Sequence, residues 1–297
     1  MSKEYFEAYE IDQETFKKLQ AKMLDMLLYF KDFCAEHGLM FYLCGGGAIG
    51  AIREHGFVPW DDDIDCFMPR ADYERFPELW EKYGDKERFV FCRTNEKVNF
   101  HHSCTSLRDP NTTFICSYNQ NLDICHGVAF EIAPIDGCPK SRIKRYVQLF
   151  HAFTYALFNT QRLPNNKGKL FRAAAKVIYA LVPSQKIRYW LWKNAEKQMS
   201  KYSWDECDKV TELIGSVKGM LLEHPKEWFS SQVWVDFEGH KVPVMAGYHE
   251  YLTLIFGNYM ERPPVEQQKP KHELEFVDMD RPYTFYKGVK YFPRAQK

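Results

Sequence analysis

Between Gly56 and Arg70 the chain reads "GFVPWDDDIDCFMPR", with Asp61, Asp62, Asp63 and Asp65 inside five positions and an apolar run directly after them. Carboxylates this close repel one another, and one carried into a core without a partner is costly. Such a chain needs either a solvated loop or something positive at the mouth of a strand. Side chains alternate along a strand, so Asp63 and Asp65 are expected on one face, with Ile64 and Cys66 pointing into the core. Asp61 has the same parity but lies near the strand start, and Asp62 is expected to face away. A third carboxylate from a neighbouring strand would complete a cation site. Glu131, between Phe130 and Ile132 in "GVAFEIAPI", is the candidate. The expected ligands of Mg²⁺ or Mn²⁺ are therefore Asp63, Asp65 and Glu131, because hard divalent cations take oxygen donors. The competing reading of Glu131 is a buried pair with an Arg or Lys.

Just upstream, "GGGAIG" (45–50) satisfies G-x-G-x-x-G, and Asp65 lies twenty residues past Gly45. That is the layout of a dinucleotide site. Two features oppose it. The helix expected at 48–55 has only two turns, and four aspartates would repel a pyrophosphate. A cation between carboxylates and phosphate removes the second objection. Gly45, Gly46 and Gly47 would then form a sharp loop that admits phosphate oxygens to backbone N–H groups.

The apolar fraction of 45%, with 16% aromatics over 297 residues, is enough for one large domain or two smaller ones. Lys+Arg and Asp+Glu balance at 40 each, so net charge implies no partner. Nine cysteines without a CxxC pair read as free thiols in a reducing compartment, hence a cytoplasmic location. No window holds the ~20 apolar residues of a membrane span. Zinc is not expected: "HH" at 101–102 and His126 lack ligand spacing, and HExxH is missing. A GxSxG elbow and an RNA-binding aromatic motif are missing too, so neither an α/β-hydrolase nor a nucleic-acid partner is expected.

Periodicity predicts a helix over 12–37, capped by Asp12 and closed by Gly38, then strands at 39–44, 64–68, 88–94 and 127–135. A helix at 71–84 is expected to be limited by Pro77. Ser141 and Ser184 are candidate N-caps in a helical region, and a hairpin is expected around 236–242. The fold class is α/β with a mixed sheet: a catalytic core over 1–139, a basic helical insertion over 140–208, and a C-terminal part, 209–297, completing the core. Between Lys140 and Ser203 there are fourteen Lys/Arg and one acid, Glu196, so the rest of the chain carries −13. The same stretch holds Val147, Phe150, Tyr155, Phe158, Tyr189, Trp190 and Trp192. These apolar faces would rest either on the core or on an anionic membrane surface, which would place the protein at the inner membrane face.

The run "YLCGGGAIGAIREHGFVPWDDDIDCFMPRADYERF" (42–76) strongly resembles the LicD family of phosphocholine transferases, relatives of the fukutin-related proteins with a nucleotidyltransferase fold. The resemblance rests on Gly45–Gly46, Arg53, the stretch from Gly56 to Asp65, and Arg70, Asp72 and Tyr73. "SLRDPNTTF" (106–114), "HGVAFEIAPIDG" (126–137), "VPVMAGYHEYLTLIFGNYMERPP" (242–264) and His272 extend it over most of the chain except about 140–235. It departs at Gly47 and at Glu131, where the family usually carries Asp. The resemblance implies transfer of a phospho-alcohol, phosphocholine by default, from a CDP-alcohol such as CDP-choline. The acceptor would be a sugar hydroxyl of a cell-surface glycan or teichoic acid precursor, met on a lipid carrier. Asp63 and Asp65 would hold the cation, and Glu131 or Asp61 would accept the hydroxyl proton. Arg53, Arg70 or Arg108 would steady the CMP phosphate, and Trp60 would face the choline head group. The alternatives are transfer of the nucleotide itself to a small acceptor, or a non-catalytic module binding nucleic acid or glycan.

Overall fold

The computed structural model describes residues 11–161, 169–270 and 272–293. The first helix, α1 (Gln13–His37), starts where the Asp12 side chain accepts the Thr15 N–H at 2.9 Å, and stops where Gly38 turns left-handed at φ 60°. Its apolar stripe, including Leu19, Met23, Leu27, Phe30 and Cys34, is buried. Strand β1 (Tyr42–Leu43) runs into α2 (Gly45–Ile49), continued by a π-helical turn at Gly50–Glu54. The three glycines therefore open a helix and do not form the expected loop. Next come β2 (Asp65–Pro69) and α3 (Arg70–Tyr83), which continues through Pro77 against expectation. Then follow β3 (Val90–Cys92), β4 (Thr105–Asp109), β5 (Thr113–Cys116) and β6 (Val128–Cys138).

Three helices follow, α4 (Arg142–Thr160), α5 (Lys169–Leu181) and α6 (Gln185–Met199). Ser184 caps α6 through the Ile187 N–H, whereas the Ser141 side chain makes no cap bond. The remaining elements are β7 (Lys209–Thr211), α7 (Val217–Leu221), β8 (His224–Pro225), β9 (Gln232–Phe237), β10 (His240–Met245), α8 (Tyr248–Phe256) and β11 (Leu274–Asp278). Strands β9 and β10 form the expected hairpin. Phe237 pairs with His240 across a two-residue turn in which Glu238 and Gly239 both have positive φ. No helix among the described residues is long and apolar enough to cross a membrane.

The main sheet has the order β3-β4-β6-β2-β1-β10-β9, with β7 joined to β6 and β8 to β7. It is mixed: β2 runs parallel to β6 and β1 parallel to β10. Strand β11 pairs with β5 in a separate two-stranded sheet. A large core joins α1, α3 and the sheet, and a second cluster joins α4 and α6 to Leu213, Ile214 and Met220. Ion pairs tie the two together. Arg93 meets Glu196 of α6 at 2.7 Å, and Arg70 Nη1 lies 3.8 Å from the same carboxylate while its Nε and Nη2 grip Asp136 of the core at 2.7 and 2.8 Å.

Candidate active site

Asp65 opens β2 in register with Glu131 of its parallel neighbour β6, so two carboxylates project from one face of adjacent strands. On the other side of β6, Glu131 pairs with Ser106 of β4. Arg108 follows two residues later on the same face. Its buried guanidinium donates to Ser106 Oγ and to the Gly127 carbonyl, each at 3.3 Å. Asp62 and Asp63, from the loop before β2, complete a cleft with Arg108, Glu131, Phe114, Tyr118 and His272.

Asp62 corrects the expectation that it faces away. The strand begins only at Asp65, so alternation does not govern 61–64. Asp62 is buried in the cleft wall and accepts a hydrogen bond from His272 Nδ1 at 3.1 Å. His272 Nε2 lies 3.8 Å from Asp63 Oδ2. Burial opposes a charge on His272. The hydrogen bond to Asp62 and the charges of Asp62, Asp63 and Glu131 outweigh it and raise the imidazole to about 9.

Asp61 keeps its carboxylate beside those of Asp62 and Asp63, hydrogen-bonded to Asp63, and packs over α2. A Cβ on Gly46 would lie 1.8 Å from Asp61 Oδ2. The Cβ space at Gly46 is thus filled by a carboxylate of the same chain, and Gly45, Gly46 and Gly47 form the first turn of α2. Gly45 supplies a left-handed φ of +52° at the entry to α2, and Gly47 is buried against Ile64 and Leu43. Three more of the expected residues make contacts elsewhere or lie outside this cleft. Arg70 is locked onto Asp136. Arg53 donates to the Tyr259 carbonyl and to Glu54, each at 2.7 Å, and so pins the segment after α8. Trp60, half-buried in the preceding turn, is not among the cleft-lining residues. Of the three expected phosphate-binding arginines, the cleft contains Arg108.

The donor set fits a hard cation. Oδ1 of Asp65 is enclosed without a hydrogen-bond partner among the described residues. Burial, then the charges of Asp63, Glu131 and Asp61, push the Asp65 carboxyl well above its usual range. Burial likewise raises Asp63 against the pull of His272, with Asp62 and Glu131 adding to the rise. Carboxylates that raise one another in this way are relieved by a divalent cation on oxygen ligands. Among the described residues, the tightest groupings of ligand atoms, each within 4.8 Å, are Asp61–Asp62–Asp63 and His102–Cys104–Glu131. Asp65 belongs to neither but feels the charge of members of both.

Sequence reasoning missed His102, whose Nε2 meets Glu131 Oε1 at 3.2 Å. The available signal was the H-x-C spacing of His102 and Cys104 leading into β4, which puts both on the Glu131 side. It also gave Phe114 and Tyr118 no role, though both line the cleft.

The sequence model of the family described as LicD/FKTN/FKRP, nucleotidyltransferase domain, matches residues 38–126. The Haemophilus influenzae (strain ATCC 51907 / DSM 11121 / KW20 / Rd) protein named lipopolysaccharide cholinephosphotransferase LicD is 30% identical over 273 residues. The match covers 88% of this chain and 97% of that protein.

Proposed function

The chain belongs to the LicD family, and from that premise we propose that it is a transferase moving phosphocholine from CDP-choline to a sugar hydroxyl of lipopolysaccharide or a related surface glycan. The observation that carries the reading at the site is the register of Asp65 with Glu131, together with the enclosed Asp65 Oδ1 that has no hydrogen-bond partner among the described residues. Asp63, Asp65 and Glu131 are the residues that would hold Mg²⁺ or Mn²⁺. When bound, the cation neutralises the donor diphosphate and favours attack at phosphorus.

The chain's own residues do the rest. Arg108 presents a fixed guanidinium beside the carboxylates, where it can steady the departing CMP phosphate. Phe114 and Tyr118 line the same cleft and offer aromatic surface to a quaternary ammonium, the role expected of Trp60. His272 holds Asp62 and steadies Asp63. The acceptor oxygen bonds to the choline-bearing phosphorus, the bridging P–O bond breaks, and CMP leaves. Where Glu131 does not serve as a ligand it would accept the hydroxyl proton; solvent reaches this carboxylate and His102 Nε2 meets it at 3.2 Å.

Product analysis tests this. With CDP-choline, a lipopolysaccharide acceptor and Mg²⁺, phosphorus NMR is expected to detect free CMP and a phosphodiester on the glycan, and Asp63→Asn is expected to produce neither. Release of free phosphocholine with CMP attached to the acceptor would establish nucleotide transfer instead.

A further inference from the structure

Helix α4 has two apolar faces, and only one is used by the fold. Ala152, Tyr155, Phe158 and Asn159 are buried on the side that packs against α6. The other side carries Ile143, Tyr146, Val147, Phe150 and Phe153. At 100° per residue these five fall within one stripe about 120° wide that runs along most of the helix. All five are exposed: Ile143 at 76%, and Tyr146 and Phe150 at 66% each. Arg142 and Lys144, also exposed, flank the stripe on its two sides. A folded chain seldom leaves such a stripe uncovered.

We propose that this face of α4 docks on an anionic lipid surface. Charge selects the occupant. The stretch from Lys140 to Ser203 carries a net +13, while the rest of the chain carries −13. Its single acid does not offset that charge at the surface. Glu196 is buried and held by Arg93 at 2.7 Å and Lys193 at 2.9 Å. Apolar side chains that enter the acyl boundary between basic side chains that meet headgroup phosphates are the pattern of an interfacial helix. A second copy of this chain is the weaker occupant, because the exposed Arg142 and Lys144 that flank each stripe would meet their like-charged counterparts. This inference stands apart from the transferase reading, since it uses no residue of the cleft.

The test is co-sedimentation of the full chain with vesicles of phosphatidylcholine alone or mixed with phosphatidylglycerol, all free of glycan. Wild type is expected to sediment with the anionic vesicles at low salt and to be released as salt rises. Tyr146→Ser/Phe150→Ser is expected to lower the partition coefficient by at least ~10-fold, and Arg142→Glu/Lys144→Glu by ~5-fold or more per residue. All four side chains are exposed, so circular dichroism and thermal unfolding are expected to match wild type. A Tyr146→Trp variant adds a readout taken as the difference from wild type, whose seven tryptophans include exposed Trp190: brominated lipid adds quenching in the variant only if the stripe enters the bilayer. Three results would overturn the proposal: wild type remaining in the supernatant at every composition, binding indifferent to both double variants, or self-association that Tyr146→Ser/Phe150→Ser abolishes without any lipid binding.

Discussion

Gly46 and Asp61 are fifteen residues apart in sequence, yet one side chain exists at the expense of the other. The Asp61 carboxylate occupies the volume that any Cβ at position 46 would need. Asp61 is itself buried, so it cannot swing into open solvent without disturbing the loop that carries Asp62 and Asp63. Gly46→Ala should therefore destabilise the fold by ~2 kcal/mol, the scale of overpacking in a filled site. Urea unfolding checks this. The double variant Gly46→Ala/Asp61→Ser should recover part of the loss, because the smaller hydroxyl vacates the contested space. An unchanged midpoint in Gly46→Ala would mean that Asp61 does not lie against this helix.

At the scale of elements, the small β5–β11 sheet and the C-terminal segment behind it form one wall of the cleft. Strand β11 follows His272, and β5 carries Phe114. His126 sits behind them, its ring 4.4 Å from that of Tyr291 and its Nε2 3.0 Å from the Leu122 carbonyl. Burial pushes this imidazole down to about 4 from its ordinary 6.5. The unfolded chain therefore binds the proton first as pH falls. The contribution to stability is complete above ~6.5 and is lost progressively between there and ~4. At pH 5 the loss is about 2 kcal/mol, and His126→Gln should flatten the fall in unfolding temperature between pH 7 and 5. A variant as acid-sensitive as wild type would show that other groups set the response.

Elements governed by local chemistry were legible in the sequence. The Asp12 cap, the Gly38 stop and the Glu238–Gly239 hairpin turn each follow from residues a few positions apart. The cleft was legible only in part. Asp63, Asp65 and Glu131 could be named from clustered charge beside apolar strands. Strand parity misplaced Asp62 because it says nothing about where a strand begins. Arg70 and Arg53 read as phosphate ligands because their partners, Asp136 and the Tyr259 carbonyl, lie 66 and 206 positions away. His272 could be tied to the cleft by resemblance, but its contact with Asp62 depends on a pairing of β11 with β5 that no local pattern announces.

In the whole molecule, a mixed sheet brings strand carboxylates together and a helical insertion leaves a basic, apolar face outside. The two halves share ion pairs at Arg93–Glu196 and Arg70–Glu196, so the insertion is fastened to the core that carries the cleft. The central claim is that the carboxylate face of β2 and β6 holds a divalent cation for the transfer. The most direct measurement is Mn²⁺ binding, followed by electron paramagnetic resonance of the free ion, in wild type and Asp65→Asn with CDP-choline present. Wild type should bind the cation. Asp65→Asn should bind it on the order of 100-fold more weakly, while its metal-free unfolding temperature stays level or rises because a crowded buried charge is gone. Equal affinity in the two proteins, or no binding by wild type, would contradict the account.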